Sequence, residues 1–105
     1  GVKVKSEGAV WLIDARLRDV HKGVSVENGV VHMEGGEIGF MGERGVSLTR
    51  GQALLDDVSI TGPGDEGTGV YATGMGEVMM KEVNISQVEK GVEVKNGKLI
   101  MHKGS

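Results

Sequence analysis

The chain has 105 residues, of which 19 are glycine and one is proline, with a single Trp, a single Tyr and a single Phe, so it suits one domain but not an ordinary globular one. The glycines do not recur at every third position, which excludes collagen; cysteine is absent, which excludes disulfides and thiolate chemistry and fits either a cytosolic protein or one exported unfolded through a pore. A formal charge of −3 with both signs interspersed offers no broad basic face for nucleic acid, and no apolar run approaches the ~18 residues of a transmembrane helix.

From its start the chain repeats itself. A Gly-Val step occurs at Gly1-Val2, Gly23-Val24, Gly45-Val46, Gly69-Val70 and Gly91-Val92, at intervals of 22, 22, 24 and 22 residues. A period in this range predicts a solenoid, whose units cannot bury their apolar faces alone and must stack on their neighbours. Each opening is followed by a ten-residue block: Gly8–Leu17, Gly29–Ile38, Gly51–Ile60 and Gly76–Ile85, with a further copy beginning at Gly97. In each block the second and fourth residues after the glycine are apolar, then the pattern skips, and the seventh and ninth are apolar or small. Alternation of period two predicts strands, and the skip predicts a corner between them.

With the opening Gly-Val-x-Val piece, each coil of roughly 22 residues holds three short strands and three turns. The expected fold is therefore all-β: a single-stranded right-handed parallel β-helix occupying 1–105, of about five coils starting near residues 1, 23, 45, 69 and 91. A helical reading of 77–90 competes, because Met79, Val83 and Ile85 suggest one helix face. The equivalent segments 30–40 and 52–62, rich in glycine and β-branched residues, argue against it.

The register predicts inward stacks one residue per coil: Val2, Val24, Val46, Val70 and Val92; Val4, Val26, Leu48, Ala72 and Val94; Val10, Val31, Ala53, Val78 and Leu99; Leu12, Met33, Leu55, Met80 and Met101; Leu17, Ile38, Ile60 and Ile85. Ala15, Gly36, Val58 and Val83 fill a corner. Asn28-Gly29 and Asn96-Gly97 are expected to turn through positive φ. The segment from Thr61 to Thr68, which lengthens the third interval, is expected to protrude as a mobile loop. The pattern runs to both termini without a polar capping unit, so the chain reads as part of a longer solenoid, open to end-to-end self-association and with any export signal outside it.

Several features carry candidate chemistry. Gly62-Pro-Gly-Asp-Glu-Gly67 satisfies G-x-G-x-x-G, yet a dinucleotide site needs a helix after it, and here a strand pattern follows. Acidic residues crowd one corner: Asp14, Glu34, Asp56, Asp57 and Glu82 fall at the fifth or sixth place of successive blocks. On coils about 4.8 Å apart, Glu34, Asp56, Asp57 and Glu82 are weak candidates for Ca²⁺, which takes about six to eight oxygen ligands, or for glycoside hydrolysis by paired carboxylates. Lys81 in the same row and the ordinary polarity of corners favour a solvated edge. His21, His32 and His102 do not form a ligand set, and no cofactor is expected. Lys22, Arg44 and Lys90 precede opening glycines and form a sparse basic line, interrupted at Thr68, that would suit a sulfated glycan.

The outward row three residues past each block glycine reads Trp11, His32, Leu54, Met79 and Ile100, where a solvated face should be polar. Contiguous apolar surface tends to mark an interface, and Trp and Met are favoured there.

The repeat Gly69-Val-Tyr-Ala-Thr-Gly-Met-Gly-Glu-Val-Met-Met-Lys-Glu-Val-Asn-Ile-Ser-Gln-Val-Glu-Lys-Gly-Val-Glu-Val resembles repeats in the passenger domains of bacterial autotransporters, in particular the pectin-lyase-like passengers of bartonellae. The resemblance covers essentially the whole chain. It implies export through an outer-membrane translocator barrel lying outside this chain, a location secreted or on the bacterial surface, and roles in host-cell adhesion and virulence. Some members are similar to secreted pro-angiogenic factors acting on endothelial growth-factor receptors. No short motif carries a catalytic or receptor-binding residue across.

The favoured reading is a non-enzymatic module that presents Trp11, Leu54, Met79 and Ile100, with the Pro63 loop, to a host cell-surface protein or receptor. The rival reading is a polysaccharide lyase or hydrolase of the pectin-lyase type working at the acidic corner, against which the lack of aromatic platforms for sugars weighs. A purely structural stalk segment is the third.

Overall fold

In a computed structural model the chain is all-β, and the structure describes residues 1–5 and 8–104. Each coil contributes a short strand to a first, wholly parallel sheet: β1 (Val2–Val4), β3 (Val24–Val26), β5 (Arg44–Leu48), β8 (Thr68–Ala72) and β10 (Lys90–Val94), stacked in that order. The block that follows contributes to a second parallel sheet: β2 (Ala9–Val20), β4 (Gly29–Phe40), β6 (Gly51–Asp56) with β7 (Ser59–Thr61), β9 (Glu77–Ser86) and β11 (Lys98–Gly104). The result is a parallel β-helix of four complete coils and the opening strands of a fifth, wound consistently with the right-handed sense that parallel crossovers adopt. Residues 77–86 are strand, not helix.

The register is the one the repeat spacing predicts. Val2 pairs with Val24, Val24 with Val46, Val46 with Val70 and Val92 with Val70 in the first sheet. Val10, Val31, Ala53, Val78 and Leu99 pair in sequence across the second. The inner coils bury these stacks completely: Val31, Met33, Ile38, Val46, Leu48, Ala53, Ile60, Val70 and Met80 are all at 0% exposure. Each such side chain contributes about 1.5–3 kcal/mol of burial. No buried residue is polar among the described residues. In the first and last coils, which stack on one neighbour only, the matching residues other than Val4 are partly uncovered, and Leu99 and Met101 are 39% and 44% exposed.

The opening glycines have a reason beyond marking the period. A Cβ on Gly45 would lie 2.8 Å from the carbonyl oxygen of Gly69 and 2.9 Å from Cγ2 of Ile60. A Cβ on Gly69 would lie 2.7 Å from the Gly91 oxygen and 2.5 Å from Cγ2 of Ile85. At this corner each coil rests directly on the backbone of the next, and no side chain fits between them.

Three expectations change in detail. The second and third strands of a coil are not separate units: they run on as one bent strand in β2, β4 and β9, and only the third coil divides into β6 and β7. The corner is nevertheless present, because Asp14, Gly35, Asp57 and Glu82, each six residues past a block glycine, have φ of 53°, 67°, 57° and 53°. Since every coil bends at the same place, neighbours stay paired through the bend, as where the Asp57 N–H donates to the Lys81 carbonyl at 2.9 Å.

Asn96 turns through φ 54°, as expected, whereas neither Asn28 nor Gly29 has positive φ. There the ladder to the first coil holds on both sides of the bend, with Glu27 N–H on the Val4 carbonyl and Val30 N–H on the Gly8 carbonyl, each at 2.9 Å.

The enlarged corner also lies down rather than standing free. Gly62 and Gly64 N–H donate to the Ser86 and Gln87 carbonyls at 2.9 and 3.0 Å, and the Gly67 carbonyl accepts from Glu89 and Lys90 N–H at 3.0 and 3.1 Å. Beneath it sits Phe40, only 1% exposed. A Cβ on Gly62 would come within 3.1 Å of its ring and one on Gly67 within 2.9 Å. The glycines let the segment pass over the ring, and Pro63, Asp65 and Glu66 are what it exposes.

Candidate partner-binding face

The outer surface of the second sheet is built from residues that alternate with the buried stacks. Because β2, β4, β6, β9 and β11 are parallel and in register, the outward residues form straight rows across coils. Trp11 pairs with His32, His32 with Leu54, Leu54 with Met79 and Met79 with Ile100, so the apolar row expected from the sequence is continuous. Trp11 is 62% exposed and Met79 41% exposed, which puts much of their apolar surface in contact with solvent.

His32 belongs to the row as a support. Its ring lies 4.0 Å from that of Trp11, centroid to centroid and tilted by 42°, and its Nε2 is 3.3 Å from Oε1 of Glu34. The imidazole thus packs beside the indole and near the Glu34 carboxylate, and an aromatic side chain that already rests on a neighbour loses less freedom when a partner covers it. Further along, Leu54, Met79 and Ile100 line a shallow groove whose rim is Gln52, Glu77 and Lys98. Gln52 Nε2 donates to Glu77 Oε2 at 3.1 Å across one edge. An apolar floor with a hydrogen-bonding rim is the general anatomy of a protein-binding surface.

Two neighbours were not singled out in the sequence. Ile13, two residues past Trp11 on the same face, is 64% exposed, and Ala9 is exposed on its other side. The alternation Ala9, Trp11, Ile13 was the available signal, masked because, Val30 apart, the positions matching Ala9 and Ile13 in later coils are polar. Pro63 is exposed in the connection between β7 and β8 and does not line the groove.

The acidic corner has a different character. Asp14, Asp57 and Glu82 occupy the left-handed bend, a conformation that Asp tolerates by bonding its own backbone. A Cβ at Gly35 would collide with the Asp14 carboxylate, which reaches across to the next coil. Glu34 and Asp56 are register neighbours one residue earlier, and the next members of that row are Lys81 and His102. Among the described residues no three His, Asp or Glu side chains are grouped to hold a metal ion. Glu34, Asp56, Asp57 and Glu82 thus divide between a strand row and a bend row.

Lys22, Arg44 and Lys90 lie at the start of the first sheet, where Arg44 and Lys90 both pair with Thr68. Comparison with protein-family models, with curated proteins and with solved structures finds no match.

Proposed function

We propose that this chain is a non-enzymatic binding module, part of an exported passenger of the autotransporter type, that presents the row Trp11, Leu54, Met79 and Ile100 to a protein on the host-cell surface. The observation that carries the reading is the continuity of that row: apolar side chains stand in register on the outside of four strands, with Trp11 packed beside His32. A solvated sheet exterior has no use for such a row, whereas a central apolar anchor within a polar rim accounts for most of the energy of a typical interface. The repeat pattern, similar to that of passenger domains, supports export and display. It also supports the more specific reading, a pro-angiogenic ligand of an endothelial growth-factor receptor.

The test is saturable binding of the purified chain to endothelial cells, with receptor tyrosine phosphorylation read in the same wells. Trp11→Ser/Leu54→Ser/Met79→Ser/Ile100→Ser should keep the β-sheet circular dichroism and lose binding by about 100-fold or more, as loss of two or more hot-spot side chains implies. Full binding by a folded variant would remove the row from the site.

A further inference from the structure

The outer side of the first sheet carries a second surface of another kind. Lys3, Ser25 and Ser47 are register neighbours across β1, β3 and β5. Together with Lys5, Lys22 and Arg44 they line one recess, in which Glu27 is the one carboxylate among the described residues. In a chain of formal charge −3 this is a strong local excess of positive charge.

Two cations further along the same sheet share a carboxylate. Glu93 Oε2 lies 3.6 Å from Lys90 Nζ and 3.8 Å from Lys95 Nζ. Among the described residues, none of Lys3, Lys5, Lys22 and Arg44 has a carboxylate partner. Arg44 is also held in place, its guanidinium 3.8 Å from the centroid of the Tyr71 ring, so that little side-chain entropy is lost when it meets an anion.

We propose that this recess binds a sulfated polysaccharide. Lys3 on β1 and Arg44 on β5, with Lys5 and Lys22 in the connections beside these strands and the Ser25 and Ser47 hydroxyls between them, provide charge-assisted and neutral donors along the recess, as a linear chain with repeated sulfates requires. An acidic protein would need apolar anchors as well, and the apolar residues of the recess, Val4 and Val26, are buried at 3% and 1% exposure. Single-stranded nucleic acid would need an open aromatic platform, and Arg44 covers Tyr71. A bilayer surface is planar and is gripped by inserted apolar side chains, which this face lacks. The site is on the other sheet from Trp11 and stands or falls independently of the partner row.

The experiment is titration of a fluorescent heparin oligosaccharide of defined length into the whole chain between about 50 and 200 mM salt, where released counterions make the affinity of a polyanion fall steeply. Wild type should bind saturably, with desulfated heparin failing to compete. Lys3→Ser/Lys5→Ser/Lys22→Ser/Arg44→Ser should weaken binding at least about tenfold, while Lys90→Ser/Lys95→Ser, which removes the paired lysines, leaves it unchanged. The exposed single substitution Lys22→Glu repeats the test with minimal risk to folding. Undiminished binding by the fourfold variant and by Lys22→Glu would overturn the proposal. So would equal losses in both lysine sets, or tighter binding to phosphatidylserine vesicles, polyglutamate or an oligonucleotide than to heparin.

Discussion

A methyl group added at Gly45 has no room: the Gly69 carbonyl oxygen and the Ile60 and Phe40 side chains all stand within 3.1 Å of where it would sit. Gly45 has no positive φ, so the requirement is close approach between coils rather than backbone freedom. Gly45→Ala should therefore cost about 1–3 kcal/mol through overpacking, read as a lower urea midpoint at unchanged slope. Gly91, at the same place in the repeat, has nothing within 4 Å of an added methyl and no positive φ, so Gly91→Ala should be neutral or gain about 0.4–1 kcal/mol. Equal losses at both positions would show that flexibility, not space, selects glycine there. The sequence displays these glycines as the most regular sign of the period, but the carbonyl that selects them belongs to the next coil and leaves no trace in local composition.

At the scale of the strand and its corner, Phe40 shows how one coil supports the loop of the next. The ring ends β4 and is covered by residues 62–67 of the following coil, which are hydrogen-bonded onward to Ser86, Gln87, Glu89 and Lys90. Phe40→Ala should cost about 3–5 kcal/mol and should raise amide exchange at Gly62, Gly64 and Lys90 more than at Val46 or Val70. Exchange raised evenly along the chain would mean that the ring stabilises the whole solenoid and not this corner. The inward stacks were legible because strict alternation from Gly-Val fixes which side chains turn inward, and a slip of one residue would reverse all of them. The skip in the pattern placed a corner six residues past each block glycine, and Asp14, Asp57 and Glu82 marked it as acidic, but that it is one left-handed residue inside a continuous strand was not legible, since Gly35 holds the same conformation with no carboxylate. Phe40 was missed because it lies beyond the last apolar position of its block, and Asp19, Gly62 and Gln87, at the same distance from their block glycines, gave it no stack to join; a register shift after Leu17 brings Val20 to pair with it instead. The outward row was legible as an apolar line in the wrong place, with Trp11 and His32 already neighbours in it, while the tilted contact between their rings and the Glu34 carboxylate beside His32 depend on side-chain rotamers that the spacing does not fix.

For the molecule as a whole, each coil touches only its neighbours, so stability should behave as a sum of coils and the contacts between them. A chain ended after Lys90 loses β10 and β11, which uncovers one side of Val70, Ala72, Val78 and Met80. It leaves the contacts among β3, β4, β5 and β6 untouched. Hydrogen exchange of the shortened chain should show β8 and β9 opening more readily while Val31, Val46 and Leu48 remain protected, because opening is local where the packing is local. Loss of protection at all of these residues together would mean that the coils fold as one cooperative unit and would remove the nearest-neighbour description. The same locality separates the two outer surfaces. The recess of Lys3, Lys5, Lys22 and Arg44 sits on the first coils of one sheet, and the groove of Leu54, Met79 and Ile100 on later coils of the other. The shortened chain lacks Lys98 and Ile100, so it should bind a protein partner more weakly while holding a sulfated glycan as well as before.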